Sequence, residues 1–327
     1  MFCYMLKAMN SPKTILVTGC AGFIGGNFVK NFSAQFPQTM IVGLDNFATS
    51  KKVALPQAMT FYQGTLLDKA LLEQIFSIHK PEYVFHFAAI PRVTYSVEHP
   101  TETNEANIIG TAALLEVSKN HGVKRFIFSS SSSVYGGAAK LPTKESENSP
   151  NPKSPYALQK YVGERLCKLF SELYGLDTVS LRYFNVFGPG QYGDSPYATI
   201  IASWLEALHS PGKKAFLEGD GTQSRDFCYI DNVVGANILA MASEQPLKGD
   251  VINIAHGERT NLNQVREMIE KHTGKKLDLE TRPPRIGDVL HSQADISKAK
   301  ERLGYAPKVN FEEGLKRTIA WHQTREA

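Results

Sequence analysis

The strongest constraint on the fold is an alternation of short β-rich runs with longer amphipathic stretches from Lys13 to about Tyr183. The runs are KTILVTG, MIVGLDN, MTFYQG, PEYVFHFAA, VKRFIFSS and DTVSLRYF. Helices are expected after them, with starts at about Phe23, Asp68, Pro100 and Tyr156. Apolar strands separated by helices need crossover connections, which are right-handed and place helices on both faces of a parallel sheet. The alternation therefore predicts a doubly wound α/β sheet.

The alternation of strands and helices becomes less regular after about Asn185, where Pro and Gly interrupt the chain in FGPGQYGDSP, LHSPGKK and ETRPPRIGD. These interruptions bound helices that are expected near 197–209, 229–244, 261–273 and 310–325. We interpret residues 1–184 as one domain and residues 185–327 as a smaller α+β domain that binds the substrate. Apolar segments near 226–256 are expected to pack back onto the first domain.

The first β-rich run leads directly into GCAGFIG, which places Gly19, Gly22 and Gly25 at the start of a helix. Glycines here permit a tight turn and close approach of the backbone to a pyrophosphate, and the helix N-terminus supplies N–H groups. Asp45 ends the second run, where a carboxylate accepts hydrogen bonds from a ribose diol and repels a 2′-phosphate. The pattern predicts a Rossmann-type NAD site. A glycine turn without a ligand, with Asp45 as a helix cap, is the alternative.

Tyr156 and Lys160 are four residues apart in SPYALQK, so they share one face of a helix. A free phenol with a pKa of about 10 is only ~0.1% ionised at neutral pH, and a cation within about 4–6 Å lowers that pKa by roughly 1–3 units. We therefore expect Lys160 to lower the pKa of Tyr156 and make it a base. Ser131, in the run FSSSSSVYG, is its expected partner, and a polar strand end near solvent is the alternative.

Composition excludes several function classes. The formal charge of +4, from 36 Lys and Arg against 32 Asp and Glu, is too small and dispersed to indicate nucleic-acid binding. The four cysteines (Cys3, Cys20, Cys167 and Cys228) lack metal-ligand spacing and are expected to be reduced and buried. The N-terminus lacks a secretory signal pattern, and no segment approaches the ~20 apolar residues of a membrane span. A cytoplasmic globular protein without a metal is expected.

Motifs in a fixed order carry a family resemblance: GCAGFIG, HFAA, SSSSSVYG, YALQK, LRYFNVFGP, RDFCYIDN and RIGDVLHSQADISKA. With them the chain resembles the extended short-chain dehydrogenase/reductase family from about Lys13 to about Trp321. Within that family it is most similar to nucleotide-sugar 4-epimerases of the UDP-glucose and UDP-N-acetylglucosamine type. The resemblance implies tightly bound NAD, a UDP-sugar substrate, and a homodimer that forms through helices around 100–121 and 156–174.

The resemblance also implies a reversible oxidation at C4 of the sugar. Tyr156 as a phenolate would take the proton of the 4-hydroxyl while C4 delivers hydride to NAD. Lys160 would bond the nicotinamide ribose, and Ser131 would bond the sugar oxygen. The 4-keto sugar would then turn over and receive the hydride on its other face. Related dehydratases carry Asp-Glu, and related UDP-glucuronate decarboxylases Glu, where this chain has Ser132 and Ser133, which favours an epimerase.

The family's binding residues fall into two sets on this chain. The implied cofactor contacts are Gly19, Gly22, Phe23, Ile24, Gly25, Asp45, Asn46, Leu66, Ala88, Asn107, Tyr156, Lys160 and Tyr183. The implied substrate contacts are Ser131, Ser133, Tyr156, Asn185, Gln191, Arg225, Arg285, Asp288 and Ser292. Arginines suit the diphosphate because their planar fork bonds phosphate oxygens bidentately. Loop caps, a solvated loop and an Arg225–Asp226 surface ion pair are the alternatives.

Ser292 aligns with a position that is a large aromatic in epimerases restricted to UDP-glucose and UDP-galactose. A small residue leaves room for a 2-acetamido group, so UDP-GlcNAc and UDP-GalNAc are expected substrates beside UDP-glucose and UDP-galactose. Thr65, Pro91 and Arg92 depart from the family pattern, and Arg92 keeps a uronic acid substrate open. Another nucleotide-sugar oxidoreductase and a non-catalytic NAD sensor or scaffold are the remaining alternatives.

Overall fold

Seven strands form one parallel sheet in a computed structural model that describes residues 11–50, 59–193, 199–210, 212–283 and 289–324. The strands are β1 (Thr14–Thr18), β2 (Met40–Asp45), β3 (Met59–Gln63), β4 (Tyr83–His86), β5 (Arg125–Ser131), β6 (Thr178–Tyr183) and β11 (Asp250–Ile254). Their order is β3-β2-β1-β4-β5-β6-β11, and every neighbouring pair is parallel. The predicted doubly wound sheet is confirmed.

Helices cover both faces of this sheet. They are α1 (Phe23–Gln35), α2 (Lys69–His79), α3 (Val93–Glu98), α4 (Pro100–Asn104), α5 (Gly110–Asn120), α6 (Pro155–Tyr174), α7 (Ile200–His209), α8 (Ile230–Ala242), α9 (Leu262–Thr273), α10 (Ser297–Leu303) and α11 (Phe311–Thr324). A π-helical turn at Glu105–Ile109 joins α4 to α5. No helix in these described ranges is long and apolar enough to cross a membrane.

Two apolar cores form because side chains alternate along each strand. On β1, Ile15 and Val17 face the core that includes α1 and α8, whereas Leu16 faces the core that includes α2 and α5. All three side chains are fully buried. Parallel strands that are buried on both faces read as continuous apolar runs, which is why TILV is apolar throughout.

After β6, the described residues form six short strands, paired two by two, besides β11 of the large sheet. They are β7 (Val186–Phe187) with β10 (Cys228–Tyr229), β8 (Ala215–Glu218) with β13 (Leu279–Arg282), and β9 (Ser224–Arg225) with β12 (Thr260–Asn261). Between these strands the chain returns to the large sheet, because α8 packs against α1 and β11 pairs with β6. Neither α3 nor the two-residue strands were anticipated from the sequence, because segments this short show no measurable periodicity.

The strand order reverses between β1 and β4, which are neighbours in the sheet. Connections on the two sides of such a point leave toward opposite faces, so a crevice opens at the carboxyl ends of the strands. Cys20, at the start of this crevice, is a buried free thiol, as are Cys167 and Cys228. Cys3 lies outside the described residues.

Candidate active site

A cavity of about 1790 Å³ occupies the crevice at the carboxyl ends of the strands. Its wall includes most of the residues implied for the cofactor and the substrate: Gly19, Gly22, Phe23, Ile24, Gly25, Asp45, Asn46, Leu66, Ala88, Ser131, Ser133, Tyr156, Tyr183, Asn185, Gln191, Arg225 and Ser292. Asn107 and Lys160 are buried and do not form part of this wall. Arg285 and Asp288 lie outside the described residues.

The glycine turn after β1 leaves space that side chains would fill. Gly19 has a φ of +70°, and a Cβ there would lie 2.6 Å from the backbone nitrogen of Ala88. A Cβ at Gly25 would overlap the carbonyl oxygen of Gly19. Gly22 begins α1 without a side-chain cap, and no acidic residue occupies the first turn. The first N–H groups of α1 therefore face the cavity in the arrangement that a pyrophosphate needs.

Asp45 lies at the end of β2 and joins two loops at the cavity wall. Its carboxylate accepts hydrogen bonds from the backbone nitrogens of Ala21 at 3.0 Å and Phe47 at 2.7 Å. A carboxylate has about four acceptor sites, so sites remain for a ribose diol. The glycine turn and Asp45 therefore fit the adenosine diphosphate portion of NAD.

Ser131 ends β5 with its hydroxyl held in one orientation. The Ser131 oxygen accepts a hydrogen bond from the Ser133 backbone nitrogen at 3.1 Å, so its own proton is left to donate. The neighbouring Ser130 donates instead to Glu164 at 2.5 Å, behind the strand. The Ser133 hydroxyl is buried and makes no hydrogen bond within the described part of the chain. Both serines line the cavity, but the Ser133 hydroxyl oxygen itself is enclosed, so Ser131 is the one that can offer a polar group to a sugar.

Tyr156 and Lys160 lie on the buried face of α6, whose N-terminus is capped by Ser154. Burial raises the pKa of Tyr156 to about 12, against the opposing effect of a hydrogen bond with the Ser131 side chain. The Lys160 ammonium lies 5.9 Å from the centre of the Tyr156 ring and donates a hydrogen bond to the Ser129 carbonyl at 2.7 Å. The sequence led us to expect that Lys160 lowers the pKa of Tyr156. The pKa is instead raised, because the effect of burial outweighs that of the hydrogen bond. Burial also lowers the pKa of Lys160 to about 8.

Asn107 supports the cavity wall from behind and is only 2% exposed. Its side-chain oxygen accepts from the Ile90 backbone nitrogen at 2.8 Å, and its amide donates to Gln159 at 2.7 Å. It lies in the π-helical turn, a feature that often occurs at functional sites. The Asn107 side chain thus supports the loop after β4, and a direct contact of Asn107 with the cofactor stays a prediction.

The polar residues that the resemblance implies for the substrate also bond one another. Asn185, at a positive φ of 27°, donates from its side chain to the Ser292 hydroxyl and to the Asp226 carbonyl, both at 3.2 Å. Gln191 bonds the Val186 carbonyl at 3.1 Å and accepts from Thr199 at 2.9 Å. These contacts fix the loops after β6 against the segment that carries Ser292.

Arg225 donates to the Leu290 carbonyl at 3.2 Å and lines the cavity. The positions that depart from the family pattern, Thr65, Pro91 and Arg92, line it as well.

Three residues near the cavity were not predicted from the sequence to belong to the site. His291 lines it and shares a 2.9 Å hydrogen bond with Ser224. Arg182 forms a buried bidentate ion pair with Glu164, with both N···O distances 2.7 Å. The signal for Glu164 was present, because it lies four residues after Lys160 on the same helix face. Nothing local marks Arg182 or His291.

Together these features fit an enzyme that uses a bound dinucleotide, with a glycine turn on one side of the cavity and a buried Tyr-Lys pair beside Ser131 on the other. A family model described as the NAD dependent epimerase/dehydratase family matches residues 15–255. The chain belongs to this family, and the predicted family and NAD cofactor are confirmed.

Solved structures and curated relatives extend the likeness over nearly the whole chain. A UDP-glucose 4-epimerase from Thermotoga maritima, crystallised with UDP-glucose, is 40% identical with a TM-score of 0.90, covering 96% of this chain and 100% of that one. A UDP-N-acetylglucosamine 4-epimerase from Methanobrevibacter ruminantium, in complex with UDP-N-acetylmuramic acid, is 39% identical with a TM-score of 0.89, covering 97% and 100%. A UDP-glucuronate 4-epimerase of Thermodesulfobacterium geofontis is 37% identical, covering 94% of this chain and 95% of that protein.

Proposed function

We propose that this protein is an NAD-dependent 4-epimerase of UDP-sugars that interconverts UDP-GlcNAc and UDP-GalNAc and also accepts UDP-glucose and UDP-galactose. The observation that carries the proposal is the meeting of Ser131 and Tyr156 in one cavity with the glycine turn. Ser132 and Ser133 stand where an elimination needs an added acid and base. A proton-transfer group without that second pair fits oxidation and reduction at a single carbon.

Tyr156 is the group that exchanges a proton with the C4 oxygen. Bound NAD supplies the hydride acceptor and donor. Lys160 is protonated below its pKa of about 8, so a positive charge stands 5.9 Å from the ring as the phenol loses its proton. An opposite charge at this range favours the phenolate. Glu164 forms an ion pair with Arg182 and, by its negative charge, partly opposes the lowering of the Lys160 pKa by burial.

Ser131 holds the same oxygen from the other side. The Ser133 amide donates to the Ser131 oxygen, so the hydroxyl proton of Ser131 remains free to be donated to a sugar oxygen beside Tyr156. A fixed donor of this kind stabilises charge that develops on the oxygen during hydride transfer. The serine therefore shortens proton transfer to Tyr156 and holds the keto intermediate.

The choice of an acetamido substrate rests on Ser292. Its side chain is small, lines the cavity and bonds Asn185, which leaves the volume beside it open. The similarity to the Methanobrevibacter ruminantium enzyme, named as a UDP-N-acetylglucosamine 4-epimerase, supports this choice. UDP-glucuronate is the second candidate, because Arg92 lines the same cavity and the Thermodesulfobacterium geofontis relative is named for that substrate.

A substrate panel tests the proposal. Purified protein is incubated without added cofactor with UDP-GlcNAc, UDP-GalNAc, UDP-glucose and UDP-glucuronate, each alone, and the products are separated by chromatography. Conversion between UDP-GlcNAc and UDP-GalNAc supports it. Conversion of UDP-glucuronate alone selects the second candidate. A requirement for stoichiometric nicotinamide indicates a one-way oxidoreductase, and no turnover together with an inert Tyr156→Phe variant indicates an NAD-binding sensor or scaffold.

We also propose a homodimer that forms through α5 and α6. Four large apolar side chains on or beside these helices are well exposed: Ile109 at 56%, Leu169 at 40%, Leu173 at 66% and Tyr174 at 55%. An exposed apolar patch of this kind supports a protein interface. Light scattering should give a dimer for the wild type and a monomer for Leu173→Glu. A monomeric wild type would contradict the assignment.

A further inference from the structure

Asp226 is a fully buried carboxylate that takes no part in the proposed chemistry. Its first oxygen accepts from the backbone nitrogens of His256 at 3.0 Å and Gly257 at 3.2 Å. Its second oxygen accepts from Gly257 at 3.1 Å and Ala294 at 3.0 Å. A buried carboxylate is costly unless such donors surround it. The side chain therefore joins three segments that are far apart in sequence.

Two of the three segments that meet at Asp226 border the cavity, since Arg225 on one and Ser292 on the other line it. Asp226 follows Arg225, a cavity residue, and its own carbonyl accepts from the side chain of Asn185. Ala294 lies two residues after Ser292, on the stretch that carries His291. The backbone of this stretch is further attached to β9, since the Ser292 nitrogen donates to the Ser224 carbonyl at 3.0 Å. The carboxylate thus fixes one side of the space that Asn185 and Ser292 enclose.

We propose that Asp226 is a positioning residue for the UDP-sugar: through the Ala294 amide it holds Ser292 against Asn185 and so sets the room beside the sugar. This inference rests on the proposed function, because the room matters only if a sugar occupies it. An asparagine at 226 would present N–H to at least one of the three amides, leaving donor against donor. The stretch that carries Ser292 would then lose its fixed place.

The protonation of Asp226 gives the proposal a second readout. Burial raises the pKa of this carboxyl to about 7, while the three amides oppose the rise. The titratable groups around it are Glu258 and His256 on the loop after β11, Cys228 on β10, and Tyr305 after α10. As pH falls through 7, a proton on the carboxyl replaces an acceptor by a donor, with the same consequence as the asparagine.

The test compares Asp226→Asn with Asp250→Asn, a matched control on β11 whose carboxylate bonds Lys298 and Arg302 and does not line the cavity. Titration calorimetry measures binding of UDP-GlcNAc and of UDP, and steady-state kinetics gives KM and kcat. For Asp226→Asn we expect UDP-GlcNAc to bind about tenfold more weakly and KM to rise equally. The affinity for UDP, kcat and the bound NAD should change less than about threefold. Asp250→Asn should match the wild type.

A pH series on the wild type alone can still overturn the proposal if Asp226→Asn fails to fold. Wild-type affinity for UDP-GlcNAc relative to UDP should fall as pH drops from 8 to 6, and the folded variant should lose this dependence. A flat wild-type series, an unchanged Asp226→Asn, or an equal loss of UDP affinity overturns the proposal. If the wild type turns over no sugar but Asp226→Asn still weakens UDP-GlcNAc selectively, the positioning role stands and the proposed reaction fails.

Discussion

The side-chain amide of Asn185 donates a hydrogen bond to the hydroxyl of Ser292, with an Nδ2 to Oγ distance of 3.2 Å. The two residues are 107 positions apart in sequence. Both line the cavity that holds Ser131 and Tyr156, so the bond joins the loop after β6 to the segment after β13 at the substrate side. The identity of residue 292 therefore determines whether this bond can form and how large a side chain lines the cavity at that point.

Replacing Ser292 by Tyr should suppress the acetamido substrates selectively. The ring would fill the space available to a 2-acetamido group, so kcat/KM for UDP-GlcNAc should fall by about 100-fold or more while that for UDP-galactose falls less than about fivefold, a difference of about 2 kcal/mol or more. Ser292→Ala is the control, because it removes the Asn185 bond without adding volume. It should cost both substrates less than about fivefold. Equal losses of kcat/KM for both substrates in Ser292→Tyr would contradict the proposal that residue 292 sets the room for the acetamido group.

Removing the Tyr156 hydroxyl should slow turnover strongly without releasing the cofactor. In Tyr156→Phe, kcat should fall by roughly 10²–10⁴-fold, the range for loss of a positioned proton-transfer group. The affinity for UDP-GlcNAc by calorimetry should stay within about threefold. Tyr62→Phe is the control, since that hydroxyl bonds His79 away from the cavity and its loss should leave kcat unchanged. A Tyr156→Phe variant with wild-type kcat would exclude the assigned role.

Gly25 should be indispensable for NAD binding, whereas its neighbour Gly26 should not. A Cβ at Gly25 overlaps the Gly19 carbonyl, while one at Gly26 meets the Cys20 carbonyl oxygen at an ordinary 3.5 Å. Gly25→Ala should push the phosphate turn out of place, because backbone cannot yield as a flexible side chain does. Cofactor released by denaturation should be below about a tenth of wild type in Gly25→Ala and near full in Gly26→Ala. Equal NAD content in the two variants would contradict the role of the glycine turn in binding the pyrophosphate.

The buried ammonium of Lys160 should make stability depend on pH in a defined direction. Its pKa is about 8 in the folded protein against 10.5 as the ordinary value, so between these pH values the unfolded chain binds more protons and stability rises with pH. Lys160→Met lacks this contribution. Relative to wild type, its free energy of unfolding should therefore fall by roughly 2–3 kcal/mol between pH 7 and pH 10.5.

Urea denaturation at the two pH values measures the change. Lys69→Met is the control, since the Lys69 side chain is 58% exposed and should give no such pH-dependent difference. A difference between Lys160→Met and wild type that stayed constant with pH, or grew in the opposite direction, would show that the ammonium is not destabilised by burial. The same titration predicts that kcat falls above about pH 8 as the charge near Tyr156 is lost.

Sequence predicted the parts of the site that are local. The glycine turn and Asp45 could be assigned because a strand, a turn and a helix N-terminus follow one another within 30 residues or so. Tyr156 and Lys160 could be paired because a helix brings residues four apart to one face. The apolar runs of the sheet were equally readable, since both faces of a parallel sheet are buried.

What the sequence could not supply depends on contacts between distant segments. The Lys160 bond to the Ser129 carbonyl, the place of Asn107 under Ile90 and the raised pKa of Tyr156 all follow from burial, which only the assembled fold determines. Asp226 lies 68 residues from Ala294 in sequence, and no local pattern links them. The candidate reacting groups can thus be identified from local sequence patterns, whereas their pKa values and the contacts that hold them in place depend on the tertiary structure.

Retention of label at C4 is the most direct test of the central claim. UDP-GlcNAc that carries deuterium at C4 of the sugar is incubated with purified protein without added cofactor, and the UDP-GalNAc formed is examined by mass spectrometry and proton NMR. If Tyr156 moves only the hydroxyl proton and the hydride returns from the bound NAD, the product keeps its deuterium at C4. Loss of the deuterium to solvent, or no product unless stoichiometric nicotinamide is supplied, would contradict the account.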